Sequence, residues 1–175
     1  MRVRSLIVLG LASLFGNCSY SQNVDKKAPA MEEGKKNEVY SRSDTSKVNL
    51  DNAEWKKVLP SEVYHIAREK GTEWAFTGKY WNTKDKGVYA CVCCGQPLFS
   101  SDTKFDSGTG WPSFYKPLNE GAVETETDSS YGMVRTEARC AKCDAHLGHV
   151  FEGERFTPKN TRHCVNSISM DFIPE

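Results

Sequence analysis

Two cysteine pairs, Cys91-Val92-Cys93-Cys94 and Cys140-Ala141-Lys142-Cys143, each set thiols three residues apart. Together Cys91, Cys94, Cys140 and Cys143 supply four soft thiolates, the ligand set of a closed tetrahedral zinc site. Each pair precedes a turn-forming residue, Gly95 or Asp144, as expected of a tight knuckle whose backbone amides face the sulfurs. The 45 residues between the pairs exceed the spacing of one zinc ribbon, so the ion is expected to join two distant hairpins. A fully cysteinate ion keeps no position open for water, which gives this zinc a structural role and leaves the chemistry elsewhere. Two disulfides are the competing reading, favoured by export to an oxidising compartment. A third arrangement would use His146 and His149 as ligands of a catalytic zinc.

The second reactive feature is Arg162-His163-Cys164-Val165-Asn166-Ser167. Side chains repeat every two residues along a strand, so Arg162, Cys164 and Asn166 are expected on one face, continued by Ile168, Met170 and Phe172. A cation beside a thiol favours the thiolate, and an amide next to it can hold a polar partner. The bland alternative is a small buried hydrophobe. His146-Leu147-Gly148-His149-Val150-Phe151 adds two imidazoles three residues apart. A regular strand would send them to opposite faces, whereas a bulge at Gly148 would turn both one way.

These groups need a scaffold. Short β-prone runs, broken by Gly, Asp, Asn and Pro, are expected at Gly87 to Cys91, Ala122 to Thr127, Met133 to Arg139, His146 to Phe151 and Arg162 to Ile173. They predict a mainly β, antiparallel domain. One helix is expected from Ser61 to Lys70, with Val63, Ile66 and Ala67 on its buried face and Gly71 ending it. Gly108, Gly110 and Pro112 mark an irregular loop around Trp111.

The N-terminal third reads differently. Arg2 and Arg4 precede an apolar run from Leu6 to Phe15 and then small or polar residues, the three-part pattern of a secretory signal spanning 1–21. The run is shorter than the roughly 20 residues that span a bilayer. Ser19 and Ser21 fit cleavage before Gln22, giving a secreted or periplasmic protein; the alternative keeps Cys18 as a lipid anchor. Residues 22–52, rich in Lys, Glu, Ser and Asn without sustained periodicity, read as a flexible tether, leaving 53–175 as the catalytic domain. The chain has 23 basic and 23 acidic residues; loss of Arg2 and Arg4 leaves 21 against 23. This near balance, without a basic cluster, argues against a nucleic-acid partner. A monomer is the default expectation.

Three blocks in order, Gly108-Thr109-Gly110-Trp111-Pro112-Ser113-Phe114, His146 to Phe151 and Arg162 to Ser167, resemble the signatures of the B-type methionine sulfoxide reductases. Both knuckles fall where that family has them, and the similarity runs from about Trp55 to Pro174. The resemblance implies a β-tent of two antiparallel sheets with short N-terminal helices, one structural zinc per chain, and reduction of methionine-R-sulfoxide in proteins or as the free amino acid. It implies Cys164 as nucleophile, His146 or His149 as general acid, Trp111 as the wall for the substrate methyl group, Asn166 as an orienting group and Arg162 as the residue favouring the thiolate. The sulfoxide oxygen leaves only when protonated, which is why an acid is needed.

The chain departs from the family at one place. Many members carry a resolving cysteine where Thr109 stands. With four cysteines on zinc, only Cys93 and Cys164 remain in the mature domain, so the Cys164 sulfenic acid is expected to be reduced directly by an external thiol donor such as a thioredoxin-like protein. A zinc-stapled binding module with an inert Cys164 is the alternative from another class; it gives no reason to keep Trp111, His146, His149, Arg162, Cys164 and Asn166 together.

Overall fold

The computed structural model describes residues 36–175. The secretory signal, Cys18 and the first part of the expected tether lie outside the described residues. No helix among the described residues is long and apolar enough to cross a membrane.

Two short helices come first. Helix α1 (Asn52–Val58) joins α2 as one of the short N-terminal helices that the resemblance implies, and its start is encoded locally. Asp51 accepts from the Glu54 amide, and Glu54 accepts from the Asp51 amide, each at 2.8 Å, a reciprocal capping box. It buries Trp55 completely. Helix α2 (Ser61–Glu69) buries Val63, Ile66 and Ala67 as the pattern requires. It ends on Lys70 in the left-handed conformation, one residue before the expected Gly71.

Nine strands follow: β1 (Gly87–Cys91), β2 (Pro97–Ser100), β3 (Lys104–Phe105), β4 (Ser113–Phe114), β5 (Val123–Asp128), β6 (Arg135–Cys140), β7 (His146–Glu152), β8 (Thr161–Val165) and β9 (Met170–Pro174). They form two antiparallel sheets, of order β2-β1-β9 and β3-β4-β8-β7-β6-β5. The mainly β architecture matches the expectation. Tyr89 and Phe99 of the small sheet close on Phe114 of the large one, Phe99 stacked at 4.4 Å and Tyr89 edge-on at 5.1 Å. Aromatic side chains bury about 150–250 Å² each, worth about 4–6 kcal/mol apiece at roughly 25 cal/mol per Å² before the entropy of ordering. These rings clamp the two sheets together.

Two expectations are corrected. The run from Arg162 to Ile173 is not one strand: β8 ends at Val165, a 3-10 turn occupies Ser167–Ser169, and β9 joins the other sheet. Ile168, Met170 and Phe172 therefore do not continue the Cys164 face. The turn is fixed by the Asn166 amide on the Leu147 carbonyl, at 2.8 Å, and the Ser169 hydroxyl on the His146 carbonyl, at 3.0 Å.

The second correction concerns residues 36–51, which lie as a strap across the cysteine knuckles instead of hanging free. Ser41 N–H donates to the Cys94 carbonyl, Val48 N–H to the Lys142 carbonyl, and the Asn37 side chain to the Cys93 carbonyl. In return, the buried Lys142 ammonium donates to the Ser41, Asp44 and Cys94 carbonyls. Polar composition, which suggests a tether, does not register such backbone partners.

Candidate active site and metal centre

The pairing of β7 with β8 puts His149 directly opposite Cys164, with Gly148 opposite Val165. On the other flank of β8, Ser113 of β4 pairs with Cys164. The thiol thus sits on a central strand, between the histidine strand and the end of the Trp111 loop. It is partly exposed, while the other described cysteines are buried.

A register shift on β6 between Ala138 and Arg139 leaves Leu147 as the extra residue of β7. This bulge brings His146 and His149 to one side, with ring centroids 5.4 Å apart and planes steeply crossed. Gly148 is required by proximity: a Cβ there would stand 1.9 Å from the Cys164 carbonyl oxygen.

Each histidine has a carboxylate behind it. His146 Nδ1–H donates to Glu137 Oε1 at 2.7 Å, and the other Glu137 oxygen accepts from Lys70 at 2.7 Å. His149 Nε2–H donates to Asp128 Oδ2 at 2.8 Å, and Arg135 donates to the same oxygen at 2.6 Å. The hydrogen bonds from Ser130 and His149 hold the Asp128 carboxyl far below the usual range. Burial pushes His146 below the ordinary imidazole value, against the opposing pull of Glu137.

Arg162 is buried and held by a fork of two bonds to Glu154, at 2.7 and 2.9 Å, with its guanidinium 4.4 Å above the Phe151 ring. Burial pushes the Cys164 thiol up; Arg162 and the Thr109 hydroxyl beside it pull it back down. The pull of Arg162 is smaller than the push of burial. Trp111 donates from its indole nitrogen to the Glu73 carbonyl at 3.1 Å. Its loop is pinned at Gly110, where a Cβ would come within 2.8 Å of Phe76. Asn166 is engaged at both ends, accepting from the Glu73 amide at 3.1 Å and donating to the Leu147 carbonyl at 3.1 Å. It fastens the loop carrying Glu73 to β7.

The four knuckle thiols converge on one point. All ligand atoms lie within 4.8 Å of one another, and sulfurs of different knuckles come together, Cys91 to Cys143 at 3.7 Å and Cys94 to Cys140 at 3.6 Å. A tetrahedral ion with metal–sulfur bonds of about 2.3 Å needs sulfurs about 3.8 Å apart. Gly95 and Asp144 both have positive φ and donate their amides to the Cys91 and Cys140 carbonyls, closing the two knuckles. The cluster fits one metal ion.

The model of the SelR domain matches residues 59–174, about two thirds of the chain. The chain belongs to the SelR domain family. Similar proteins carry the name peptide methionine sulfoxide reductase MsrB. One from Acinetobacter baylyi is 59% identical over 126 residues, 72% of this chain and 90% of that protein. One from Synechococcus sp. is 58% identical over 125 residues, 71% and 91% of the two chains. One from Agrobacterium fabrum is 55% identical over 128 residues, 73% and 94%.

Sequence reasoning picked out the thiol, the histidines, the arginine and the tryptophan of this SelR domain, and the structure sets the first three kinds on the paired central strands β7 and β8, with Trp111 in the loop leading into β4. It missed Glu137, Asp128, Glu154 and Glu73, the carboxyl residues that hold them. Glu137 carried a weak signal, as an acidic residue inside an expected strand, whereas Asp128 stands just past one and on β5, one strand further from the histidine strand; only the register tells which imidazole each one meets.

Proposed function

We propose that this SelR domain reduces methionine-R-sulfoxide, protein-bound and free, to methionine, with Cys164 as the nucleophile. The observation that carries this reading is the direct pairing of His149 with Cys164, beside the second imidazole of His146. The Cys164 thiolate attacks the sulfoxide sulfur, and the oxygen is protonated by a histidine as it leaves. The oxygen ends on Cys164 as a sulfenic acid; the substrate sulfur gains the two electrons that the Cys164 sulfur loses. Trp111 walls the pocket for the substrate methyl group, Arg162 favours the thiolate, and Asn166 orients the site by fixing the Glu73 loop. Two equivalents of an external thiol, such as a thioredoxin-like donor, then restore Cys164 and release water and a disulfide.

Cys91, Cys94, Cys140 and Cys143 hold a structural zinc, whose contribution is to keep the two knuckles joined. The N-terminal pattern supports export to repair proteins outside the cytoplasm under oxidative stress, with Cys18 as the alternative lipid anchor. The test is turnover of the separate R and S epimers with dithiothreitol, Cys164→Ser alongside. R-only turnover that the substitution abolishes supports the reading; no turnover by a folded, metal-loaded protein would leave the binding-module alternative.

A further inference from the structure

The two histidine–carboxylate pairs differ in burial. Asp128 lies on the edge strand β5 and shares its oxygen with Arg135, near solvent. Glu137 lies in the interior of the sheet, with only 1% of its side chain exposed, and His146 is nearly as enclosed at 3%. A buried carboxylate is costly to a fold unless its oxygens are paired. Here one oxygen takes His146 Nδ1–H and the other the ammonium of Lys70, whose own side chain is 56% exposed. Burial raises the Glu137 pKa, but the bonds from Lys70 and His146 outweigh it and hold the carboxyl ionised.

An ionised carboxylate only accepts hydrogen bonds, so the proton of a neutral His146 resides on Nδ1. Its Nε2 is then a bare acceptor. That atom is buried, and it has no partner among the described residues. Buried polar atoms are nearly always satisfied, and this one belongs to a ring packed 5.4 Å from that of His149, the cross-strand partner of Cys164.

We propose that Glu137 is a positioning residue for the reductase reaction: it locks His146 in the Nδ1–H tautomer and stabilises the imidazolium formed when Nε2 takes the Cys164 proton. The inference rests on the reading that His146 works in that reaction. The proton leaves the Cys164 sulfur for Nε2 and passes to the sulfoxide oxygen as the substrate S–O bond breaks and the Cys164 S–O bond forms. No outside co-reactant is needed for this half-reaction. The charges facing His146 are Glu137 from β6, Lys70 from the end of α2 and His149 from its own strand. Cys164 lies across from His149 on β8.

The experiment is single-turnover reduction of free methionine-R-sulfoxide by the metal-loaded chain across the neutral pH range. Glu137→Gln keeps an acceptor for Nδ1–H but removes the charge. The rate is expected to fall about ten- to a hundred-fold, and the limb belonging to His146 to move to lower pH, because the imidazolium loses its counter-charge. Lys70→Met removes the opposing cation, so the same limb moves to higher pH with little loss of rate. General damage to the fold would not move the limb in opposite directions. If His146→Ala is slow while both variants keep the wild-type limb, the proposal is overturned and the role of His146 stands. If His146→Ala turns over like the wild type, that role falls, and the proposal with it. Should Glu137→Gln fail to fold, nitrogen NMR of the wild-type His146 ring decides: an Nδ1–H tautomer supports the proposal, and an Nε2–H tautomer overturns it.

Discussion

His149 and Cys164 are direct cross-strand partners, and the residue beside that pair, Gly148, has its α-carbon against the Cys164 carbonyl. Any side chain at 148 pushes the nucleophile strand away from the histidine strand. Gly148→Ala is expected to cost about 1–3 kcal/mol of stability and to lower R-sulfoxide turnover more than the fall in folded fraction explains. Thermal unfolding and single-turnover rates check this, and a variant matching the wild type in both would refute the close approach.

Thr109 lies beside Cys164, at the position to which the resemblance assigns a resolving thiol in other members. Oxidised by one equivalent of substrate without reductant, the wild-type chain should hold a sulfenic acid that dimedone traps. In Thr109→Cys the new thiol should condense with it, releasing water and forming a disulfide, so that trapping is lost and the mass falls by two hydrogens. Persistent dimedone labelling of that variant would place residue 109 out of reach.

Arg162 opposes the upward push of burial on the Cys164 thiol, and Glu154 opposes Arg162. Arg162→Met should therefore move the pH dependence of iodoacetamide alkylation at Cys164 upward, and Glu154→Gln should move it downward. Shifts in the same direction would mean that the two variants act through the fold and not through charge.

The strap across the knuckles predicts a division between metal retention and turnover. Removing residues 1–47 deletes the bonds from Asn37 and Ser41 to the first knuckle and from Lys47 to Ala141 and Asp144 in the second. Metal loss to a chelator should become several-fold faster while turnover of free methionine-R-sulfoxide stays near the wild type. Cys94→Ser, by contrast, removes a ligand and should lower the unfolding temperature outright. Unchanged metal release from the shortened chain would count against the strap.

Burial pushes both His146 and His163 below the ordinary imidazole value of 6.5, against the pull of Glu137 on the first and of the Phe114 carbonyl on the second. As pH falls through that value the unfolded chain takes up protons that the folded chain refuses. The associated stability is complete above the unfolded pKa and is lost as pH falls towards the folded one. The unfolding midpoint should therefore drop between about pH 7 and pH 5, and less steeply in His163→Gln. A variant that tracks the wild type at each pH would remove His163 from the account.

Much of the site was legible from residue type and spacing. A Cys-x-x-Cys pair before a turn residue specifies a knuckle through local geometry, and Gly148 between two histidines announced the bulge that turns them together. The buried face of α2 followed from Val63, Ile66 and Ala67. Helix α1 is equally local, marked by a capping box and not by apolar periodicity: Asp51 and Glu54 form it ahead of Trp55.

What the chain alone determined, then, is its inventory of thiols, imidazoles and knuckles, because those depend on neighbours a few residues apart. The tertiary structure decided their surroundings. Alternation could not show the turn at Asn166 that moves the chain from one sheet to the other, since its bonds go to Glu73 and Leu147. Composition could not show the strap on the knuckles, whose partners, the Cys93 carbonyl and the Lys142 ammonium, lie 56 to 101 residues away. Nor could spacing assign Glu137 to His146 and Lys70 to Glu137. A side chain's charge is written in the sequence, but the group that charge meets is set by strand register and by where the helix ends.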